Sequence, residues 1–255
     1  MAPKRVTLGA SICVLLSAAG MVLVLGQAWA HRRSKKIAIA LIAAFLQTIF
    51  LPTSVLAQSF EGLGVLPGGS VSLGFGINAD GSVVVGRGNS ANFSSEESFR
   101  WTQSGGMVGL GVIAGTTQSS ASGVNADGLV VVGGSTNNGS ASPTTGFFGE
   151  AFRWTQSGGM VGLGVISGGT RSQANAVSGD GTVVVGQGNS TFIPTNEEAF
   201  RWTQAGGMVG LGFIPGGSSS SIANAVNSDG SVVVGQSFLT AAGYRAFRWT
   251  QSSGS

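Results

Sequence analysis

Adjacent glutamates are the residues of this 255-residue chain whose type and spacing could support acid–base chemistry. The adjacent pairs are Glu96 with Glu97 and Glu197 with Glu198, and a single glutamate, Glu150, takes the place of Glu97 and Glu198 in another copy of the motif. Glycoside hydrolysis requires two carboxyl groups that flank one scissile bond. Neighbouring residues of an extended strand point to opposite faces, so the members of an adjacent pair do not converge on one bond. We therefore expect structural ion pairs, for example between Glu198 and Arg201 or between a glutamate and an arginine of a neighbouring structural unit.

Four Asp-Gly pairs offer oxygen atoms of the kind that bind calcium. A calcium loop needs further carboxylates and a bidentate glutamate, whereas an apolar run that includes three valines follows each pair. Asp and Gly also favour tight turns, because the Asp side chain bonds its own backbone and Gly accepts left-handed conformations. We interpret these pairs as turns and predict neither a metal nor a cofactor, with calcium binding as the open alternative. The aspartates are Asp80, Asp127, Asp180 and Asp229.

The distribution of charge, cysteine and histidine excludes several classes of function. Every lysine, the single cysteine and the single histidine lie within residues 1–57. The remainder carries seven arginines against ten acidic residues, a net charge of 7 − 10 = −3. No basic patch is therefore available for nucleic acid. Disulfides, zinc sites built from Cys and His, cysteine nucleophiles and histidine-dependent triads are excluded after residue 57.

Residues 1–57 form a hydrophobic leader that we expect to be helical. A basic run and then a long apolar segment ending in Val-Leu-Ala are typical of a secretory signal peptide, with the mature chain beginning near Gln58. A second apolar run at 6–30 belongs either to a long leader, with translation starting at Met21, or to a membrane-spanning helix. The predicted domains are this leader and a repeat domain at 58–255.

The elements that must position the polar residues recur four times. The turn aspartates are separated by 47, 53 and 49 residues. A period of this size predicts an array of identical supersecondary units. Nearly all the variation in length falls in one loop of each repeat, between a Val-Val-Val-Gly segment and a Phe-Arg-Trp triplet.

Each repeat reads as four short antiparallel strands. An alternating segment leads into the Asp-Gly turn, three valines follow, then Phe-Arg-Trp, and then Gly-Met-Val-Gly. The valine triplet indicates a strand that is covered on both faces. Phe200 and Trp202 share one face of the third strand, and Arg201 takes the other. The sequence thus predicts an all-β repeat protein with about four propeller-like blades. One large aromatic residue per blade is a core element: Trp101, Trp154, Trp202 and Trp249.

The two ends of the array leave its closure open. A lone fourth strand is predicted at 62–66, and the last third strand is predicted at 246–250. Pairing of these strands would complete the last blade and remove unpaired edges. The alternative is that this chain is part of a longer array with more blades.

The repeated motifs resemble those of the HAF-type extracellular repeat family. They are Ala-Phe-Arg-Trp at 151–154, 199–202 and 246–249, Ser-Phe-Arg-Trp at 98–101, and Gly-Gly-Met at 105–107, 158–160 and 206–208. The histidine of the family motif is replaced by Glu97, Glu150, Glu198 and Arg245. The resemblance implies an exported bacterial surface protein, in some cases the passenger of an autotransporter, and it implies no reaction. Contact with a membrane is expected only through the leader or through a C-terminal β-barrel domain outside this sequence.

The variable loops carry aromatic residues that the core pattern does not require. These ligand-contact candidates are Phe93, Phe147, Phe148, Phe192, Phe238 and Tyr244. Aromatic side chains among small polar ones make adaptable contact surfaces. We therefore expect a noncatalytic secreted or cell-surface scaffold that binds a protein or a glycan, with a role such as adhesion. The alternative is a polysaccharide-active enzyme, a glycosidase or lyase, that uses loop carboxylates such as Glu96 or Glu197. Glycosylation sequons also fall in these loops, at Asn92, Asn138 and Asn189.

Overall fold

A computed structural model of the protein describes residues 59–93, 96–137, 149–191, 196–240 and 242–251. The predictions for the leader lie outside these ranges, as do those for Phe147, Phe148 and Phe192. Apart from residues 59 and 60, all described residues belong to one compact unit, Glu61–Ser255. The regular secondary structure of the described ranges consists of strands, and no helix there is long and apolar enough to cross a membrane.

Fifteen strands are present in the described residues, and they form four antiparallel sheets that we call blades 1 to 4. Blade 1 contains β1 (Ser72–Ile77), β2 (Val83–Gly88), β3 (Glu97–Thr102) and β4 (Gly106–Gly109). Blade 2 contains β5 (Gln118–Val124), β6 (Val130–Thr136), β7 (Glu150–Thr155) and β8 (Gly159–Gly162). Blade 3 contains β9 (Ser172–Val177), β10 (Val183–Gly188), β11 (Glu198–Thr203) and β12 (Gly207–Gly212). Blade 4 contains β13 (Gly217–Val226), β14 (Val232–Leu239) and β15 (Gly243–Thr250). Consecutive strands pair within each blade, which confirms the prediction of an all-β, propeller-like repeat fold.

The lone fourth strand predicted at 62–66 does not form. Among the described residues blade 4 has three strands, so pairing of residues 62–66 with it, one of the two arrangements that the sequence left open, is not adopted. The Gly64 carbonyl instead accepts a hydrogen bond of 2.6 Å from the Ser72 hydroxyl. The Gly111 carbonyl accepts an equivalent bond from the Ser119 hydroxyl between blades 1 and 2. Residues 62–66 therefore occupy the place of an interblade connection leading into blade 1.

The valine triplet of an internal second strand packs in two directions. Val184, the middle valine of β10, is fully buried in a cluster with Val130 and Val132 of blade 2. The outer valines, Val183 and Val185, lie in the next cluster with residues of blade 4. This strand is therefore covered on both faces, as the sequence predicts, because blade 3 is sandwiched between blades 2 and 4.

The first strands of successive blades approach one another closely and carry a bulge that the sequence did not reveal. Pairing with the second strand shifts register between Gly74 and Gly76 and again between Ala121 and Gly123. A Cβ atom added at Gly76 would lie 3.2 Å from the Ser122 carbonyl oxygen of blade 2. A small residue is therefore needed at this position beside the bulge. The bulge itself increases the local twist of the strand.

We predict that Val184→Asp destabilises the repeat domain by about 3 kcal/mol or more, because the fully buried site offers the new carboxylate no partner. Urea unfolding followed by circular dichroism measures the change. Val209→Asp is the matched control, since Val209 is 56% exposed on β12. That variant is expected to stay within about 0.5 kcal/mol of the parent.

A variant with a shortened loop between Asn137 and Gly149 is the second comparison for Val184→Asp. Loop length contributes only weakly to the free energy of unfolding, so the melting temperature should hardly change. A shortened loop that unfolds the array while Val184→Asp leaves it intact would contradict the blade assignment.

Candidate functional site

The strands place the polar residues at two opposite ends of the blades. One end, which we call the loop end, carries the variable loops between second and third strands and the connections that enter each blade. The other, the turn end, carries the Asp-Gly turns and the turns between third and fourth strands. The ligand-contact candidates were predicted at the loop end, and the turn aspartates lie at the turn end.

Two asparagine side chains fix variable loops to the incoming connection of their own blade. Asn89 Oδ1 accepts hydrogen bonds from the backbone N–H groups of Ser70 and Val71, at 2.9 and 2.8 Å. Asn189 Oδ1 makes the same pair of bonds with the N–H groups of Thr170 and Arg171, at 2.8 and 2.9 Å. Asn189 is buried, and its Nδ2 donates to the Thr170 hydroxyl. The sequon at Asn189 is therefore not available for glycosylation in the folded protein.

The first glutamate of each adjacent pair forms an ion pair at the loop end. An Arg87 guanidinium nitrogen lies 3.0 Å from Glu96 Oε2. In blade 3, two guanidinium nitrogens of Arg171 lie 3.0 and 2.8 Å from Glu197 Oε1. Burial raises the pKa of the Glu96 carboxyl, and the nearby Arg87 charge partly opposes that rise. Both ion pairs link elements that the sequence analysis had not connected.

The second glutamate of each pair bonds to backbone instead of to arginine. Glu198 Oε1 accepts a hydrogen bond of 3.2 Å from the Gly212 N–H. Arg201 donates to the Gly230 carbonyl of blade 4, at 3.3 Å. The predicted ion pair between Glu198 and Arg201 is therefore wrong, because residues three apart on a strand lie on opposite faces. Glu97 and Glu150 repeat the bond to backbone in blades 1 and 2, with Gly111 and Gly164 as donors.

This buried carboxylate explains the glycines of the Gly-Leu-Gly segment. A Cβ atom added at Gly210 would lie 2.2 Å from Glu198 Oε1. Gly212, which donates its N–H to the same oxygen, has φ of +71°. Gly109 and Gly162 face Glu97 and Glu150 in the same way, also at 2.2 Å. The recurring glutamate and its glycines are thus one structural unit that joins the third strand to the turn after the fourth.

The turn aspartates each cap their own turn. Asp180 Oδ1 accepts hydrogen bonds from the Thr182 N–H at 3.0 Å and from the Ser178 hydroxyl at 2.5 Å. These bonds, the Ser178 hydroxyl first, hold the pKa of Asp180 below its ordinary value. The hydroxyl of Ser82 does the same for Asp80, and that of Ser231 for Asp229. In the described part of the chain, no three His, Cys, Asp or Glu side chains gather as a metal site would require.

Three of the six aromatic candidates fall within the described residues. Phe238 and Tyr244 face each other across β14 and β15, with ring centroids 5.2 Å apart in an edge-to-face arrangement. Tyr244 is 52% exposed. Phe93 is half-buried in a tight turn, in which its N–H donates to the Ser90 hydroxyl at 3.1 Å. The described candidates therefore form one aromatic pair in blade 4, of which Tyr244 is exposed, and a separate residue in blade 1.

A row of serines in the first strands was missed by the sequence analysis. Each hydroxyl donates to the carbonyl of the Gly-Leu-Gly segment before its strand, at 2.5 to 2.7 Å. The hydroxyls of blades 2 to 4 also accept a third-strand N–H from the preceding blade, at 2.9 Å. They stand eight residues before the turn aspartates, a regularity that is visible in the sequence. The serines are Ser72, Ser119, Ser172 and Ser221.

Phe75 is a further exposed aromatic residue, which the sequence pattern of the variable loops did not predict because it lies in a strand. It lies in the bulge of β1, is half exposed, and has the Arg87 guanidinium 5.4 Å from its ring centroid. At the turn end, residues of blades 2 to 4 line an open cavity of about 480 Å³. Arg153, Arg201 and Trp202 are among the residues that line it. Both arginines already donate to turn carbonyls of the following blade.

The fold, with its loop end and its turn end, defines an all-β repeat protein with propeller-like blades. No protein-family model and no curated protein sequence matches the chain. One matching solved structure is that of putative TolB from Agrobacterium tumefaciens, 14% identical, with a TM-score of 0.47, over 75% of this chain and 66% of that one. Another is TolB from Acinetobacter baumannii, 14% identical, with a TM-score of 0.38, over 77% of this chain and 45% of that one. The chain thus spans less than two thirds of the length of either structure.

We predict strong coupling between Gly210 and Glu198. Gly210→Ala should destabilise the domain by about 1–3 kcal/mol, because the added methyl group overlaps the Glu198 carboxylate. In a Glu198→Ala background the same methyl group should cost less than about 0.5 kcal/mol. A double-mutant cycle by urea unfolding measures the coupling energy. Gly62→Ala, where the methyl group enters open space, is the control. Additive effects would contradict the assigned contact.

We predict that acid weakens the domain through the turn aspartates. The pKa of Asp180 is lowered by folding, so its carboxylate contributes stability above the unfolded value of about 4 and loses that contribution as the pH falls below it. Asp180→Asn retains an oxygen acceptor but does not titrate. Urea midpoints measured from pH 6 to pH 2 should therefore fall less steeply in this variant than in the parent. Identical profiles would show that the Asp180 pKa is not lowered by folding.

Proposed function

We propose that this protein is a noncatalytic, exported scaffold that binds a protein or a glycan at its loop end. The observation that carries the proposal is the aromatic pair of blade 4. Tyr244 exposes half of its surface while Phe238 supports it from across the hairpin. The strand pairing continues to Leu239 and Gly243, directly beside the connecting turn. An exposed aromatic ring held on a rigid hairpin supplies contact area at low entropic cost.

The carboxylates of the described loop end support a noncatalytic role. Glu96 and Glu197 are each held by an arginine, and Glu97 and Glu198 accept hydrogen bonds from the backbone. The backbone bond recurs in blades 1 to 3, and the ion pair with arginine recurs in blades 1 and 3. Neither adjacent pair of glutamates is suited to flank a single bond, because neighbouring residues of a strand point to opposite faces.

One observation favours the alternative, a polysaccharide-active enzyme of the glycosidase or lyase type. Burial raises the pKa of the Glu96 carboxyl, and a raised pKa is a property of general acids. The Arg87 guanidinium at 3.0 Å opposes protonation of that group, however. We therefore place the enzyme second.

The leader and the repeat motifs support the proposed location. A signal peptide ending near residue 57 would export the repeat domain. The HAF-type resemblance adds a bacterial secreted or cell-surface setting, with adhesion or an autotransporter passenger as the proposed context. The proposed partner is a protein or glycan at the cell surface.

Binding of the exported protein to arrays of glycans and of extracellular proteins tests the proposal. We expect Tyr244→Ala to weaken binding by about tenfold or more, equivalent to about 1.4 kcal/mol, since it removes the exposed ring. Tyr244→Phe should retain most of the affinity if the ring supplies the contact. Val161→Ala, on an outer strand, is the control for folding. Binding that is indifferent to Tyr244 would contradict the assigned site.

A glycan hydrolysis screen separates the two functions. Wild-type protein is expected to show no turnover. Turnover that is abolished in Glu96→Gln or Glu197→Gln, with melting temperatures unchanged, would overturn the noncatalytic proposal in favour of the enzyme.

A further inference from the structure

The outward face of blade 4 displays residues that blades 1 to 3 bury against the following blade. Val234 is 42% exposed, whereas its equivalents in the other blades are 0% exposed. Those equivalents are Val85, Val132 and Val185. Ala246 on β15 is likewise exposed, while Ala151 and Ala199 are fully buried. Apolar surface of this kind favours coverage by another sheet.

The same face carries an arginine whose counterparts bridge every interblade contact. In blades 1 to 3, the third-strand arginine donates to the glycine carbonyl of the next Asp-Gly turn, at 3.0, 3.5 and 3.3 Å. The three pairs are Arg100 with Gly128, Arg153 with Gly181, and Arg201 with Gly230. Arg248 holds this position in blade 4 and is exposed.

Blade 1 presents the complementary half of the contact. Ile77 is 63% exposed, whereas its equivalents Val124, Val177 and Val226 pack against the cluster they share with the preceding blade. Gly81, the turn glycine of blade 1, is exposed, while the three glycines that accept arginine bonds are buried. Both halves of a fourth interblade contact are therefore present in the chain, and they do not cover each other.

We propose that the two open faces associate head to tail between copies of this chain. Blade 4 of one copy packs on blade 1 of the next, with Val234 against the region of Ile77. Arg248 then donates to the Gly81 carbonyl of the second copy. The occupant is a second copy because its blade 1 continues an interface that the chain already builds three times. Such a contact joins two different patches, so repetition forms a closed ring or an extended chain of copies.

Association is measured as molar mass against concentration, by sedimentation or light scattering of the exported protein. We expect the mass of the parent to rise with concentration. Val234→Asp should remain monomeric with an unchanged melting temperature, because this side chain is already exposed in the single chain. Val161→Asp is the matched control, being 56% exposed on β8, and should associate like the parent. A parent that stays monomeric, or Val234→Asp that associates normally, would overturn the proposal.

Cysteine crosslinking tests the orientation and the alternative of closure within one chain. A mixture of Arg248→Cys protein with Ser82→Cys protein should yield a disulfide-linked dimer of the two variants on oxidation. Both substitutions in one chain should give linked oligomers. A double variant that crosslinks only within itself and runs as a monomer would show that blade 1 of the same chain covers blade 4, which overturns association between copies.

Discussion

Packing of the blades against one another is the constraint on which the rest of the structure depends. The middle valine of a triplet, such as Val184, contacts the preceding blade, and the outer pair contacts the following one. A strand buried on both faces tolerates no charge, so the triplet recurs without polar residues. The first strands must also approach closely, which restricts Gly76 and Gly123 to small side chains. Each internal blade is thus stabilised by both of its neighbours.

Polar bonds then set the distance and angle between blades. Ser119 accepts from the Ser98 N–H of blade 1 and donates to the Gly111 carbonyl, so one hydroxyl joins two blades. Arginines such as Arg153 reach the turn of the following blade at the opposite end. Glu150, through the Gly164 N–H, ties the third strand to the outgoing connection. With both ends secured, the loops are free to vary in length without disturbing the core.

The candidate site was only partly accessible from the sequence. The aromatic residues of the variable loops were predicted as contact candidates because the core pattern does not require them. Two of them, Phe238 and Tyr244, contact each other across a hairpin. Phe75 was overlooked because it belongs to a strand, and only a bulge turns it out beside Arg87. The partners of Glu96 and Glu197 were missed for a similar reason. Arg171 precedes Glu197 by 26 residues, so the fold alone brings the two side chains together.

Sequence alone determined the period of the repeat, the order of its strands and its turns, together with the two-sided burial of the valines in the internal blades. Each of these features depends on local periodicity or on the conformational preferences of Asp and Gly. Tertiary structure decided which side-chain contacts connect one strand or blade to another. Local pattern predicted an ion pair between Glu198 and Arg201, but strand geometry directs them to opposite faces and to different partners. Tertiary structure also decided that residues 62–66 lead into blade 1 and that the outward face of blade 4 is exposed in the single chain. Strand pairing depends on where distant elements lie in space.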